Sequence, residues 1–279
     1  MKLKVPSPLV TVNWLSENIN AENLIVLDAT IPKVGGSKGD EKERRQILNT
    51  VFFDLKNVFL DSKGVFPNTI PNENHFEKQA RELGVNNDSC IVVYDDIGVY
   101  SSARAWWLFK IFGFKNVAVL NGGLPKWQEL SFLTEEIKKT KIKKGDFKVN
   151  FNVEKVSGTI EVLKASNDKK CILDARSKAR FNATVAEPRK GLRGGHIPNS
   201  KSLPYTELQV NGKMKSVKEL KEIFLDLNPK KENVVFSCGS GITACILALG
   251  NEVAGNENYT VFDGSWTEWA SNLELPIEK

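Results

Sequence analysis

The chain has 279 residues, 41% hydrophobic and 26% charged, with 39 Lys and Arg against 34 Asp and Glu and a net charge of +5. That length supports two domains with proper cores, and no apolar run nears the roughly 18 residues of a membrane span. Four cysteines without Cys-x-x-Cys spacing and two histidines argue against a zinc site and against a disulfide framework.

The N-terminal Met1-Lys2-Leu3-Lys4-Val5-Pro6 lacks the apolar core of a secretion signal, so a cytoplasmic location is expected. Leu24–Ala29, Cys90–Tyr94 and Val117–Leu120 read as strands of the first half. Asn74-His75-Phe76-Glu77 reads as the first turn of a helix opened by Asn74. The basic run Lys138–Lys144 has no interleaved aromatics, which favours a solvated connection over a nucleic-acid patch. The excess positive charge instead suits small anionic substrates. In the second half, strands are expected near Cys171–Asp174, Ser202–Leu203, Val234–Ser237 and Thr260–Asp263, with helices at Ser216–Leu227 and Thr243–Val253. Strands alternating with helices imply an α/β fold in which each parallel sheet carries helices on both faces. The expected division is a first domain over 1–135, a connection over 136–156 and a second domain over 157–279. Trp106, Trp107, Trp127, Trp266 and Trp269 read as packing residues at helix–sheet contacts.

The chemistry concentrates at Cys238-Gly239-Ser240-Gly241-Ile242-Thr243, which follows the apolar Val234-Val235-Phe236 and precedes the helix-like Ala244–Leu249. A strand, a tight glycine-rich loop and a helix turn successive backbone N–H groups inward at the positive end of the helix, a setting that favours an anion. A thiol there is expected to have a lowered pKa and to act as a nucleophile. The competing reading, a buried structural cysteine, does not call for the glycines.

An internal repeat accompanies the loop. Val92-Val93-Tyr94-Asp95-Asp96 matches Val234-Val235-Phe236-Ser237-Cys238, and Asn121–Trp127 matches Asp263–Trp269, both at an offset of 142. Val26-Leu27-Asp28-Ala29 also matches Ile172-Leu173-Asp174-Ala175. One offset held across two motifs indicates a duplicated domain. Only the second copy carries the loop cysteine, because the first has Asp96 there.

With the Cys238–Cys245 run, Gly195-His196-Ile197-Pro198, Asp263-Gly264-Ser265-Trp266 and the repeat, the chain resembles the two-domain rhodanese superfamily over essentially its whole length. Within it, Gly239 and Ser240 resemble the loop of the 3-mercaptopyruvate sulfurtransferases. The resemblance implies two tandem rhodanese-like domains and a Cys238 persulfide that passes sulfane sulfur to a thiol, such as thioredoxin, or to cyanide. It implies that Arg180 and Arg189 hold a donor carboxylate and that Gly239, Gly241, Ile242 and Thr243 cradle the outer sulfur. Ser240 is expected to hydrogen-bond the donor carbonyl or relay a proton, with a plain turn serine as the alternative. Arg176 and Arg193 read as surface or structural residues, and His75 and His196 as structural. Neither a metal nor a cofactor is implied.

The chain departs from the family pattern where relatives carry a relay histidine. Gln46 stands there, and the upstream acidic position falls near Ser37. Glutamine hydrogen-bonds but transfers no proton near pH 7. Three other readings stand beside the mercaptopyruvate one: a thiosulfate:cyanide sulfurtransferase, a non-catalytic sulfur carrier, and a cysteine phosphatase. The last needs an arginine six residues after the cysteine, where this chain has Ala244. An arginine at 239 with a lysine at 241 is expected to shift preference toward thiosulfate.

Overall fold

The computed structural model describes residues 2–31, 45–138 and 142–279. The chain divides into two compact units. The first holds Met1–Ser62, Ile70–Asn152 and Asn211–Met214; the second holds Lys63–Thr69, Val153–Val210 and Lys215–Lys279.

In chain order the first unit begins β1 (Leu9–Val10), α1 (Val12–Asn18), β2 (Leu24–Asp28), β3 (Arg45–Ile47), β4 (Thr50–Phe52) and α2 (Glu73–Glu82). It continues β5 (Cys90–Tyr94), α3 (Ser102–Ile111), β6 (Val117–Leu120), α4 (Gly123–Glu129) and β7 (Thr134–Glu136). Its main sheet has the order β1-β6-β5-β2-β4, all neighbours parallel. The central strand β5, Cys-Ile-Val-Val-Tyr, is buried at every residue. Such an unbroken apolar run is what a strand covered on both faces requires. On one face Val92 and Tyr94 pack with Val12 and Leu15 of α1 and with Leu124 and Trp127 of α4. Elsewhere in the unit an aromatic cluster joins α2 and α3, with Phe76 edge-on to Phe109 at 5.3 Å. Truncating a ring as fully buried as Phe76 costs about 3–5 kcal/mol.

The second unit runs β8 (Val156–Ser157), α5 (Thr159–Asn167), β9 (Ile172–Asp174), α6 (Lys178–Phe181), β10 (Lys201–Ser202) and β11 (Gln209–Val210). The strand β12 (Lys213–Met214) falls in the first unit. The second unit resumes with α7 (Val217–Leu227), β13 (Val234–Ser237), α8 (Ala244–Val253), β14 (Tyr259–Phe262) and α9 (Ser265–Ser271). Its sheet order is β10-β9-β13-β14-β8, again all parallel. Read from the other edge, this is the order of the first sheet, so the sequence repeat is a repeat of topology. Val162 of α5 with Trp266 and Trp269 of α9 covers one face. Phe224 of α7 meets Phe236 of β13 edge-on.

Most expected elements form within a residue of their reading. The helix around His75 is one correction: its cap is Asn72, whose side chain accepts the His75 N–H at 2.9 Å, and Asn74 lies inside the first turn. Over 142–152 the expected connection packs on the first unit: Phe147 is buried, and its carbonyl accepts from Arg81 at 2.7 Å. Lys139 to Lys141 and Ser37 lie outside the described residues.

Candidate active site

The loop 238–243 leaves the carboxyl end of β13, the middle strand of its sheet, where open α/β sheets bind ligands. Cys238 is 1% exposed. The Gly241 N–H donates to Cys238 Sγ at 3.1 Å, and Gly241 has φ +79°, a conformation that glycine adopts without steric cost. The loop carbonyls are held by the start of α9. Trp266 N–H donates to the Cys238 carbonyl and Thr267 N–H to the Gly239 carbonyl, each at 3.0 Å, and Thr267 Oγ1 donates to the Gly239 carbonyl at 2.6 Å. With these carbonyls engaged, the N–H groups are left to the loop interior. Among the described residues, none of the Gly239, Ser240, Ile242 and Thr243 N–H groups is spent on a protein acceptor. Ser265 accepts the Cys238 N–H at 3.2 Å, lies 3.7 Å from Sγ, and gives its own proton to the Phe262 carbonyl at 2.7 Å. It does so at φ +50°, where the first copy has Gly123 at +53°. Cys245 donates its S–H to the Gly241 carbonyl.

Two guanidinium groups flank the loop. Arg180 extends from α6, and a Cβ on Gly239 would lie 3.0 Å from its Nη2, so only glycine lets it rest there undisturbed. Its Nε and Nη2 donate to Glu187, at 3.3 and 2.5 Å. Glu187 is shared with Arg176, whose Nη1 is 2.9 Å away and whose Nη2 pairs with Asp174 at 2.6 Å. The Arg176 side chain is fully buried and lies over the Trp266 ring at 4.3 Å. Arg189 donates to Thr267 Oγ1 and to Ser240 Oγ, both at 3.2 Å. Burial, and then the neighbouring Arg180 cation, lower its pKa. Ser240 Oγ also accepts from Asn68 Nδ2 at 3.0 Å.

The structure thus brings Cys238, Ser240, Arg180, Arg189, Gly239 and Gly241 together in the second unit, with Ile242 buried and Thr243 at the start of α8. Arg193 is structural: its guanidinium serves the carbonyls of Ala270, Leu275, Trp269 and Asn272. His196 stacks on Phe181 and bonds the Phe181 carbonyl, while His75 bonds the Val58 carbonyl. Gln46 is buried in β3, its amide donating to Glu135 at 3.0 Å. Sequence reasoning missed Asn68, Glu187, Thr267 and Ser265. Glu187 stands two residues from Arg189, and Ser265 and Thr267 lie inside the Asp263–Trp269 repeat, whereas nothing in the sequence links Asn68 to a loop 172 positions away. Gly241 holds a positive φ that strains any L side chain, so a lysine there, as in the exchange of 239 and 241, would carry a backbone cost. No group of three or more His, Cys, Asp or Glu among the described residues is arranged to hold a metal ion.

The first copy's loop is filled from within. Asp95, fully buried, accepts the N–H groups of Ile97, Gly98, Tyr100 and Ser102 at 2.8–3.0 Å. Its carboxylate takes the anion position one residue before Asp96.

The rhodanese-like domain model matches residues 11–130 and 159–272. With one topology twice and one cysteine loop, the chain belongs to the rhodanese-like family. Its relatives at this similarity are sulfurtransferases. It is 37% identical to the 3-mercaptopyruvate sulfurtransferase of Escherichia coli (strain K12) over 276 residues, 96% of this chain and 97% of the relative. It is equally 37% identical to the mitochondrial thiosulfate/3-mercaptopyruvate sulfurtransferase 1 of Arabidopsis thaliana, covering 97% and 78%. The crystal structure of the 3-mercaptopyruvate sulfotransferase SseA from Escherichia coli superposes with a TM-score of 0.82 at 35% identity, covering 93% of this chain and 99% of that one.

Proposed function

We propose that this sulfurtransferase takes its sulfur from 3-mercaptopyruvate, carries it as a persulfide on Cys238 and passes it to a thiol such as thioredoxin or to cyanide. The observation that carries the reading is a buried thiol, bonded by the Gly241 N–H, in a loop flanked by Arg180 and Arg189. The Cys238 thiolate attacks the donor sulfur, the S–S bond forms, and the C–S electron pair leaves as the enolate of pyruvate. The enolate then takes a proton at its terminal carbon. The product Cys–S–SH loses its proton, and the loop N–H groups favour the resulting anion. An acceptor thiolate attacks the outer sulfur, forms its own persulfide and frees the Cys238 thiolate. Arg180 and Arg189 hold the donor carboxylate through guanidinium forks, and the Ser240 hydroxyl donates to the carbonyl oxygen as enolate charge grows there.

Thiosulfate would expel a sulfite dianion, and Gly239 and Ser240 add no cation beside the thiol. The loop therefore favours the monocarboxylate donor. The two copies are proposed to span 1–135 and 157–279, and the enzyme to act in the cytoplasm; no helix among the described residues is long and apolar enough to cross a membrane. The deciding measurement compares kcat/KM for mercaptopyruvate and thiosulfate under one acceptor. A higher value for thiosulfate overturns the donor assignment.

A further inference from the structure

Asn68 reaches the loop from a segment distant in sequence. It is 7% exposed and holds φ +64°, a conformation asparagine accepts more readily than most side chains. Its Nδ2 donates to the Ser240 carbonyl at 2.9 Å and to Ser240 Oγ at 3.0 Å. A carbonyl only accepts, so the amide orientation is fixed: nitrogen, not oxygen, faces Ser240. Arg189 likewise has no acceptor and must donate to the same hydroxyl. Both lone pairs of Ser240 Oγ are therefore engaged by donors. The one proton left on that oxygen has to point away from Asn68 and Arg189.

We infer that Asn68 is a positioning residue that, with Arg189, locks the Ser240 hydroxyl as a one-way donor toward the bound sulfur donor. The inference rests on the proposed use of Ser240 at the carbonyl of a mercaptopyruvate-type substrate, and it goes further. A hydroxyl whose lone pairs are filled cannot receive a proton, so Ser240 stabilises the enolate oxygen without relaying protons. That suits a chain whose Gln46 is no proton carrier. It also makes the Asn68 contribution specific to donors that leave as an enolate.

The test compares wild type with Asn68→Ala and Asn68→Asp. The aspartate keeps the size and tolerates the backbone conformation, but as a carboxylate it faces the Ser240 carbonyl with an acceptor and takes the hydroxyl proton for itself. Both variants should lower kcat with mercaptopyruvate at least tenfold at pH 8, with KM changed less than threefold. With thiosulfate, turnover should change less than threefold, and the rate of Cys238 alkylation by iodoacetamide should match wild type. As pH falls and the introduced carboxyl becomes protonated, Asn68→Asp should regain mercaptopyruvate activity relative to Asn68→Ala, because a neutral acid again has a proton to donate. Mercaptopyruvate turnover within twofold of wild type in both variants would overturn the inference, as would equal losses with both donors. A wild-type enzyme that makes no pyruvate from mercaptopyruvate would instead overturn the donor assignment on which it rests.

Discussion

Replacing Arg189 with alanine removes a cation from the loop and one of the two donors to the Ser240 hydroxyl. Among the described residues its hydrogen-bond partners are hydroxyls, Thr267 Oγ1 and Ser240 Oγ at 3.2 Å, so no described carboxylate is bound directly to it and its charge is left for a ligand. Losing one charge-assisted hydrogen bond to a ligand carboxylate costs roughly 1.5–3 kcal/mol, or about 10- to 150-fold in kcat/KM. Arg180→Ala should fall in the same range. Its former partner Glu187 remains paired with Arg176, so that loss belongs to binding and not to an orphaned buried carboxylate. Arg180→Lys should not rescue, because an ammonium lacks the planar fork that meets Glu187 and a ligand together. The assay is initial-rate pyruvate release from mercaptopyruvate at fixed thiol acceptor. If Arg180→Ala and Arg189→Ala both stayed within twofold of wild type, carboxylate binding by this pair would be wrong.

Cys238→Ser should abolish sulfur transfer with little change in Tm, and a sulfane sulfur found by mass spectrometry only on Cys90, Cys171 or Cys245 would refute the assignment. Gly241→Ala should cost about 1–2 kcal/mol of stability from its left-handed backbone, read as a Tm drop of a few degrees, and should slow alkylation of Cys238. Arg176→Ala leaves the buried Asp174 without its cation, while Glu187 keeps Arg180, a loss of about 3–5 kcal/mol; a urea midpoint like that of wild type would contradict it. Burial pushes the Cys90 thiol from its ordinary value of 9.0 up to about 11. The native chain then keeps a proton that the unfolded chain gives up, so stability is fully present below pH 9 and falls as pH rises toward 11, by at most about 2–3 kcal/mol. Cys90→Ala should flatten that decline, and an unchanged slope would disprove the cause.

The fold was legible because its signals are local and periodic. Runs such as Cys90–Tyr94 and Val234–Ser237 are short, apolar and bounded by turn residues, and the offset of 142 exposed the duplication. The Cys238 loop was legible for the same reason, as a strand, a glycine-rich turn and a helix adjoin in sequence. The rest of the site depends on contacts that adjacency does not encode. Asn68 comes from a stretch with no motif, Glu187 is recognisable only once Arg176 and Arg180 are seen to share it, and Ser265 is marked by a backbone angle. The helix cap slipped from Asn72 to Asn74 because two asparagines stand two residues apart and either satisfies the pattern.

The Asp95 carboxylate means that the first copy did more than lose a nucleophile. Four backbone donors that elsewhere would welcome an external anion already have a permanent tenant on their own chain. A cysteine grafted at position 96 would stand beside that carboxylate, and its negative charge would discourage ionisation of the thiol. Waking the silent copy therefore takes two changes made together, one to evict the occupant at 95 and one to supply sulfur at 96. Either alone leaves the loop inert, so the duplicated gene can drift through single substitutions without acquiring a second reactive thiol.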